Sequence, residues 1–209
     1  LPSKNRNEKW VDRGIRYPKG VIKKEVYKGL ADKSTVRMVM TGEFEYNREN
    51  RFYLQSMIEY LRIRLREQIR EEKGGTYGVG AYAQTSEYPH QDYAITITFG
   101  TNPERVDELM DDVMNIVNDL KNNPPSAEYL TKVKEIQRRE HETNLKENSY
   151  WLSVMSYYVS HEEPLDQIIE KPEMIDALTA EDIKKAAQKY LNTDNLVQVV
   201  LYPEAKAQK

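Results

Sequence analysis

Cysteine is absent from the 209 residues. A disulfide framework, a thiolate zinc site and a cysteine nucleophile are therefore excluded together. Histidine is scarce: His90, His141 and His161 lie too far apart in sequence to form a local multi-histidine metal motif. A dominant charge is missing as well. Lysine plus arginine number 31 and aspartate plus glutamate 34, for a formal net charge of -3. That balance argues against a nucleic-acid binder driven by a basic field. No apolar run approaches the ~18 residues that a membrane-spanning helix requires.

The length suits one medium-sized domain, large enough to bury roughly 70% of the surface of its unfolded chain. Residues 1–28 hold nine basic and three acidic side chains, so the remainder carries a net -9. Residues 1–19 are expected to be a linker from a preceding domain, with a single domain over 20–209.

Strands are expected at Gly20–Lys28 and Ser34–Phe44, joined through Gly29–Lys33. In the second, Val36, Met38 and Met40 alternate with Arg37, Val39 and Thr41. From Asn47 an apolar stripe (Leu54, Met57, Ile58, Leu61, Leu65, Ile69) predicts one helix reaching about Glu72, stopped by Gly74-Gly75. Thr76–Thr101 reads as two strands around a turn at 87–92. Asn102-Pro103 and Ser126 open two more helices. A break at Asn148-Ser149 precedes a helix with Trp151, Leu152 and Met155, and Thr179 caps a last helix before a strand at Asn195–Tyr202. The order is β-β-α-β-β-α-α-α-α-β, with strands in hairpins. It predicts an α+β two-layer sandwich, an antiparallel-rich or mixed sheet with helices on one face.

Three stretches invite a chemical reading. Gly74-Gly75-Thr76-Tyr77-Gly78-Val79-Gly80 is glycine-rich, but it runs from helix to strand. A phosphate loop needs the reverse order, with a helix N-terminus facing the anion. Gln137-Arg138-Arg139-Glu140-His141 is one residue short of the inverted zinc signature H-x-x-E-H. Gln137 replaces the first histidine, a glutamine amide is a poor zinc ligand, and the stretch reads as a charged, solvated helix face. No Gly-x-Ser-x-Gly nucleophile elbow occurs. The third is Arg70 and Tyr77, in the last turn of a helix and the start of the next strand. A guanidinium and a phenol are two donors suited to a carbonyl oxygen or an oxyanion. A dipole-complementing arginine and a structural tyrosine, one of 15, are the alternative reading.

The segment from Leu65 to Val79 resembles the helix–turn–strand of the pitrilysin family of zinc metallopeptidases. The family pattern falls on Ile69, Arg70, Glu71, Gly74, Tyr77, Gly78 and Val79, with isoleucine in place of leucine. Lys28-Gly29 with Lys33-Ser34-Thr35-Val36 is similar to the family's approach to its second strand. Leu178-Thr179-Ala180-Glu181-Asp182-Ile183, with Ala187 and Tyr190-Leu191, is similar to its closing helix. The resemblance covers about residues 18–204. It implies the fold of mitochondrial-processing-peptidase-like metallohydrolases. It also implies a zinc-free C-terminal domain, because the helix matching the zinc helix, at about 47–72, contains no histidine.

The implied function is peptide binding opposite a zinc site held by another domain of the parent peptidase, with this chain inactive alone and without a metal of its own. Tyr77 would serve catalysis and substrate binding, Arg70 substrate binding, and Gly74 and Gly75 the turn. The implied location is the bacterial periplasm or cell envelope. A non-catalytic scaffold or partner-binding subunit of the same fold, and a generic helix-on-sheet interaction domain, are the alternative functions.

Overall fold

The computed structural model describes residues 9–72 and 76–208. Residues 9–19 contain no helix or strand and are exposed. Five strands follow: β1 (Ile22–Tyr27), β2 (Ser34–Glu43), β3 (Thr76–Ser86), β4 (Asp92–Thr101) and β5 (Leu196–Tyr202). They form one sheet in the order β1-β5-β2-β4-β3. The β2–β4, β3–β4 and β2–β5 pairs are antiparallel, and β1–β5 is parallel.

The expected hairpin between the first two strands does not form, because β5 lies between them. Composition explains the exchange. β1 is short and carries Lys23, Lys24 and Glu25, with five of its six residues exposed. Charged side chains suit an edge, where they discourage further pairing. β5 (LVQVVLY) has no charge and buries Leu196, Gln198, Val200 and Tyr202 on one face, so it takes the interior position. Gly29, at φ 99°, turns the chain out of β1 in a conformation that glycine adopts without strain.

Among the described residues the α-helices are α1 (Arg48–Leu65), α2 (Val106–Asn122), α3 (Ala127–Asn144), α4 (Asn148–Ser160), α5 (Lys171–Ala177), which the sequence reading did not separate, and α6 (Ala180–Tyr190). Side-chain caps fix several starts. Asn47 accepts from Asn50 N at 2.8 Å, and Thr179 and Asp182 form a reciprocal capping box, each worth about 1 kcal/mol. α1, α2 and α6 pack on one face of the sheet; α3 packs on α1, and α5 on α3. The core joins Val36, Met38, Met40, Ile95, Ile97 and Phe99 to Leu54, Met57, Leu61, Val117 and Ile183. The opposite face, with Thr35, Arg37, Val26 and Leu201, is exposed.

The first helix departs from the single α-helix expected to Glu72. At Arg66 it widens into a π-helical segment, Arg66–Glu72. Only Ile69 is apolar there. The wider i→i+5 turn leaves Ile69 fully buried and Arg70 exposed. Insertions of this kind recur at functional positions.

Candidate functional site at the head of β3

Arg70 sits on the π-helical segment, and Gly74 and Gly75 lie outside the described residues. β3 begins at Thr76, opposite Thr101 of β4, while Gly78 lies opposite Gly100. One step on β4 is thus matched by two on β3, and Tyr77 is the extra residue of a β-bulge. Gly78 N donates to Thr76 Oγ1 at 2.8 Å across it. Bulges unpair a residue and re-aim its side chain, often beside active sites. The sequence places Tyr77 at the start of a strand; the bulge appears only once β3 is paired with β4.

The π-helical segment is braced from behind. Tyr129 donates to Glu67 Oε2 at 2.5 Å, and Lys132 Nζ lies 3.3 Å from Glu67 Oε1. Burial raises the Glu67 carboxyl, but these two hydrogen bonds, with the charges of Lys132 and Arg64, outweigh it and hold the group below its ordinary value. Glu67 therefore stays ionised and ties the segment carrying Arg70 to α3. Sequence reasoning missed Glu67 and Tyr129, which are 62 positions apart; no local signal links them.

The Gln137–His141 stretch is not a solvated face. Gln137 and His141 are 6% and 4% exposed. They sit one turn apart on the side of α3 that meets α1. Gln137 Nε2 donates to Ser56 Oγ at 2.8 Å, and Ser56 Oγ donates to the Phe52 carbonyl at 2.9 Å. Only Arg138, Arg139 and Glu140 keep the expected exposure. Gln137 stands where the signature needs a histidine, and its amide nitrogen is committed to Ser56. Among the described residues there is no group of three or more His, Asp or Glu side chains that could hold a metal.

Burial pushes the His141 imidazole below its ordinary value, reinforced by the charge of Lys171 and opposed by Glu142. The folded state thus prefers the neutral ring, while the unfolded chain takes up a proton near 6.5. The associated stability is whole above that pH and is lost as pH falls through it toward the lower folded value. Urea unfolding from about pH 7.5 to about pH 5.5 is expected to lose more stability in the native protein than in His141→Leu. Equal losses would show that His141 is not buried neutral.

A cleft of about 340 Å³ opens between α1, α3, α4 and α5, lined by Arg51, Gln137, Glu140, Tyr158 and Lys171 among others. Its cations are largely committed: Arg48 pairs with Glu170 and Arg51 with Glu163, both at 2.8 Å. Burial pushes the Lys171 ammonium down, with Glu140 opposing.

The sequence of residues 3–137 matches the peptidase M16 inactive domain. The chain belongs to this family. The M16 inactive domain is the non-catalytic domain type of pitrilysin-family peptidases. Comparison with curated proteins finds no match. Solved structures share the fold. The periplasmic protease PqqL from Escherichia coli superposes with a TM-score of 0.76 at 19% identity, over 89% of this chain and 21% of PqqL. A protease from Helicobacter pylori gives 0.77 at 18%, over 96% of this chain and 49% of that one. A peptidase M16 inactive domain from Pseudomonas fluorescens gives 0.73 at 20%, over 90% and 45%. The chain thus spans half or less of the length of each of these three. The α+β architecture expected from the sequence is the M16 architecture: a mixed, mostly antiparallel five-stranded sheet with its helices on one face.

Proposed function

We propose that this M16 inactive domain binds peptide for a zinc metalloendopeptidase of which it is one part. The zinc and the general base that generate the attacking hydroxide belong to another domain of the parent protein. In this reading Tyr77 donates its phenolic O–H to the scissile carbonyl and Arg70 holds the substrate backbone or the developing oxyanion. Gly74 and Gly75 give the connecting turn its freedom. The isolated chain is inactive. The observation that carries the reading is the placement of the pair: Arg70 exposed on a π-helical segment braced by Glu67, and Tyr77 as the extra residue of a bulge at the head of β3.

The test is kinetic, in the complete peptidase. A hydrogen bond from a charged donor is worth about 1.5–3 kcal/mol, so Arg70→Ala is expected to lower kcat/KM for a quenched fluorescent peptide by about 10- to 100-fold. Arg70→Lys should recover only part of this, since an ammonium cannot reproduce the planar fork. Unchanged kcat/KM in both variants would remove Arg70 from the site and favour the scaffold function.

A further inference from the structure

The cleft between α1, α3, α4 and α5 shares no residue with the Arg70–Tyr77 pair. Arg48, Arg51, Arg62 and Lys171 are the cations that line it among the described residues. The three arginines are committed. Arg48 and Arg51 pair with Glu170 and Glu163; Arg62 pairs with Glu59 at 3.0 Å, and its Nε donates to the Ala81 carbonyl at 2.8 Å. Lys171 has no hydrogen bond or ion pair among the described residues, although it is only partly exposed. Glu140 acts on it through space without pairing with it. An ammonium drawn out of water without a partner is unfavourable until an anion joins it. Gln137, on α3, has the opposite need. Its Nε2 is taken by Ser56, but its Oε1 is buried with no hydrogen-bond partner. A buried acceptor left unpaired is costly, and native structures rarely keep one without a reason. Glu140 also lines the cleft, three residues further along the same side of α3.

These features select the occupant. A phosphate or a polyanion calls for several free cations, and the wall of this cleft is apolar at Phe52, Val154, Ile168 and Met174. A purely apolar ligand would leave Lys171 and Gln137 Oε1 unpaired. The volume of about 340 Å³ lies at the small end of ligand pockets, which run from about 300 to 1,000 Å³. An extended peptide does not fit inside it. A small zwitterion with apolar side chains does. We infer that the cleft binds a free dipeptide with apolar side chains. Lys171 takes its carboxylate, Gln137 Oε1 and Glu140 take its ammonium, and Phe52, Val154, Ile168 and Met174 take its side chains. This goes beyond the proposed function: it assigns a second site, for a ligand that no step at Arg70 or Tyr77 requires.

The experiment is titration calorimetry of the intact parent protein with leucyl-leucine, in the presence of a chelator so that cleavage does not enter. A ligand of this size is expected to bind with a Kd of about 1 mM or tighter. Leucyl-leucine amide lacks the carboxylate and N-acetyl-leucyl-leucine the ammonium; each should bind about 10-fold more weakly or worse. Lys171→Met keeps a flexible chain and removes a half-buried charge, so it should fold, with thermal unfolding as the check, and lose about 10-fold in affinity. Val154→Trp fills the cleft and should weaken binding by a steric route instead. A Kd above about 10 mM for leucyl-leucine, equal binding of the dipeptide and its amide, or an unchanged Kd in either variant would each overturn the inference. The readout is independent of cleavage. Binding with these dependences in a parent that cleaves no peptide would sink the peptidase reading alone, and no binding in an active parent would sink the cleft assignment alone.

Discussion

Tyr77→Phe in the complete peptidase is expected to lower kcat by about 100-fold or more, which is the effect of removing one oxyanion donor worth ~2.7–4 kcal/mol. The substitution deletes a single oxygen and keeps the ring. The bulge that carries residue 77 is a backbone feature, set by the offset between Thr76 and Gly78 against Thr101 and Gly100, and phenylalanine does not disturb it. KM should therefore move much less than kcat, because a donor that engages the carbonyl as charge develops acts on the transition state more than on bound substrate. Steady-state kinetics on a quenched fluorescent peptide, with thermal unfolding as a check on folding, separates the possibilities. An unchanged kcat at an unchanged melting temperature would remove Tyr77 from catalysis. A fall in kcat accompanied by a lower melting temperature would point to the fold instead.

Phe44→Ala should cost the fold about 3–5 kcal/mol. In a domain of this size that corresponds to a melting temperature lowered by ~6–20 °C. Phe44 follows β2 and is nearly inaccessible to solvent. Its ring lies 5.4 Å from Tyr190 and 6.4 Å from Tyr93, and those two rings meet at 5.2 Å. The cluster joins β2, β4 and α6, so removing its central ring loosens sheet and helix layer at once. Its neighbours cannot easily close the gap. The Tyr93 ring also stands 2.8 Å from where a Cβ on Gly42 would be, which is why glycine occupies that position. Burial pushes the Tyr190 phenol up to about 12 and the Tyr93 phenol up as well, so both stay neutral at any working pH and the loss should not depend on it. Phe44→Leu, which retains much of the apolar volume, should lose markedly less. Calorimetry on the three proteins checks this. A shift under about 2 °C in Phe44→Ala would mean that the cluster collapses into the cavity or contributes little.

The readable parts of the sequence were those whose signal is local. Asn47, Ser126 and Thr179 were legible as caps because each acts within three residues of itself. The alternation in β2 and β4 and the stripe from Leu54 to Ile69 were legible because one face of each element is buried against a single layer. Gln137 and His141 misled because the charged residues between them dominate the composition of that stretch. The helix nevertheless turns both side chains inward, and Gln137 reaches Ser56, 81 positions away.

By itself, then, the sequence determined the element order apart from α5, the α+β class and the family pattern, since each follows from residue type and short-range periodicity. Tertiary structure decided what depends on partners far along the chain. β5 displaced the β1–β2 hairpin because an uncharged strand outcompetes a lysine-bearing one for the interior of a sheet. Pairing β3 with β4 created the bulge at Tyr77. Glu67 found Tyr129 across 62 residues. α4 turned Leu152, Met155 and Val159 outward because the polar groups of Tyr157 and His161 were already engaged by Tyr46 and Glu87. No local propensity encodes these choices; each is a competition between buried areas and hydrogen-bond partners that exists only once the layers meet.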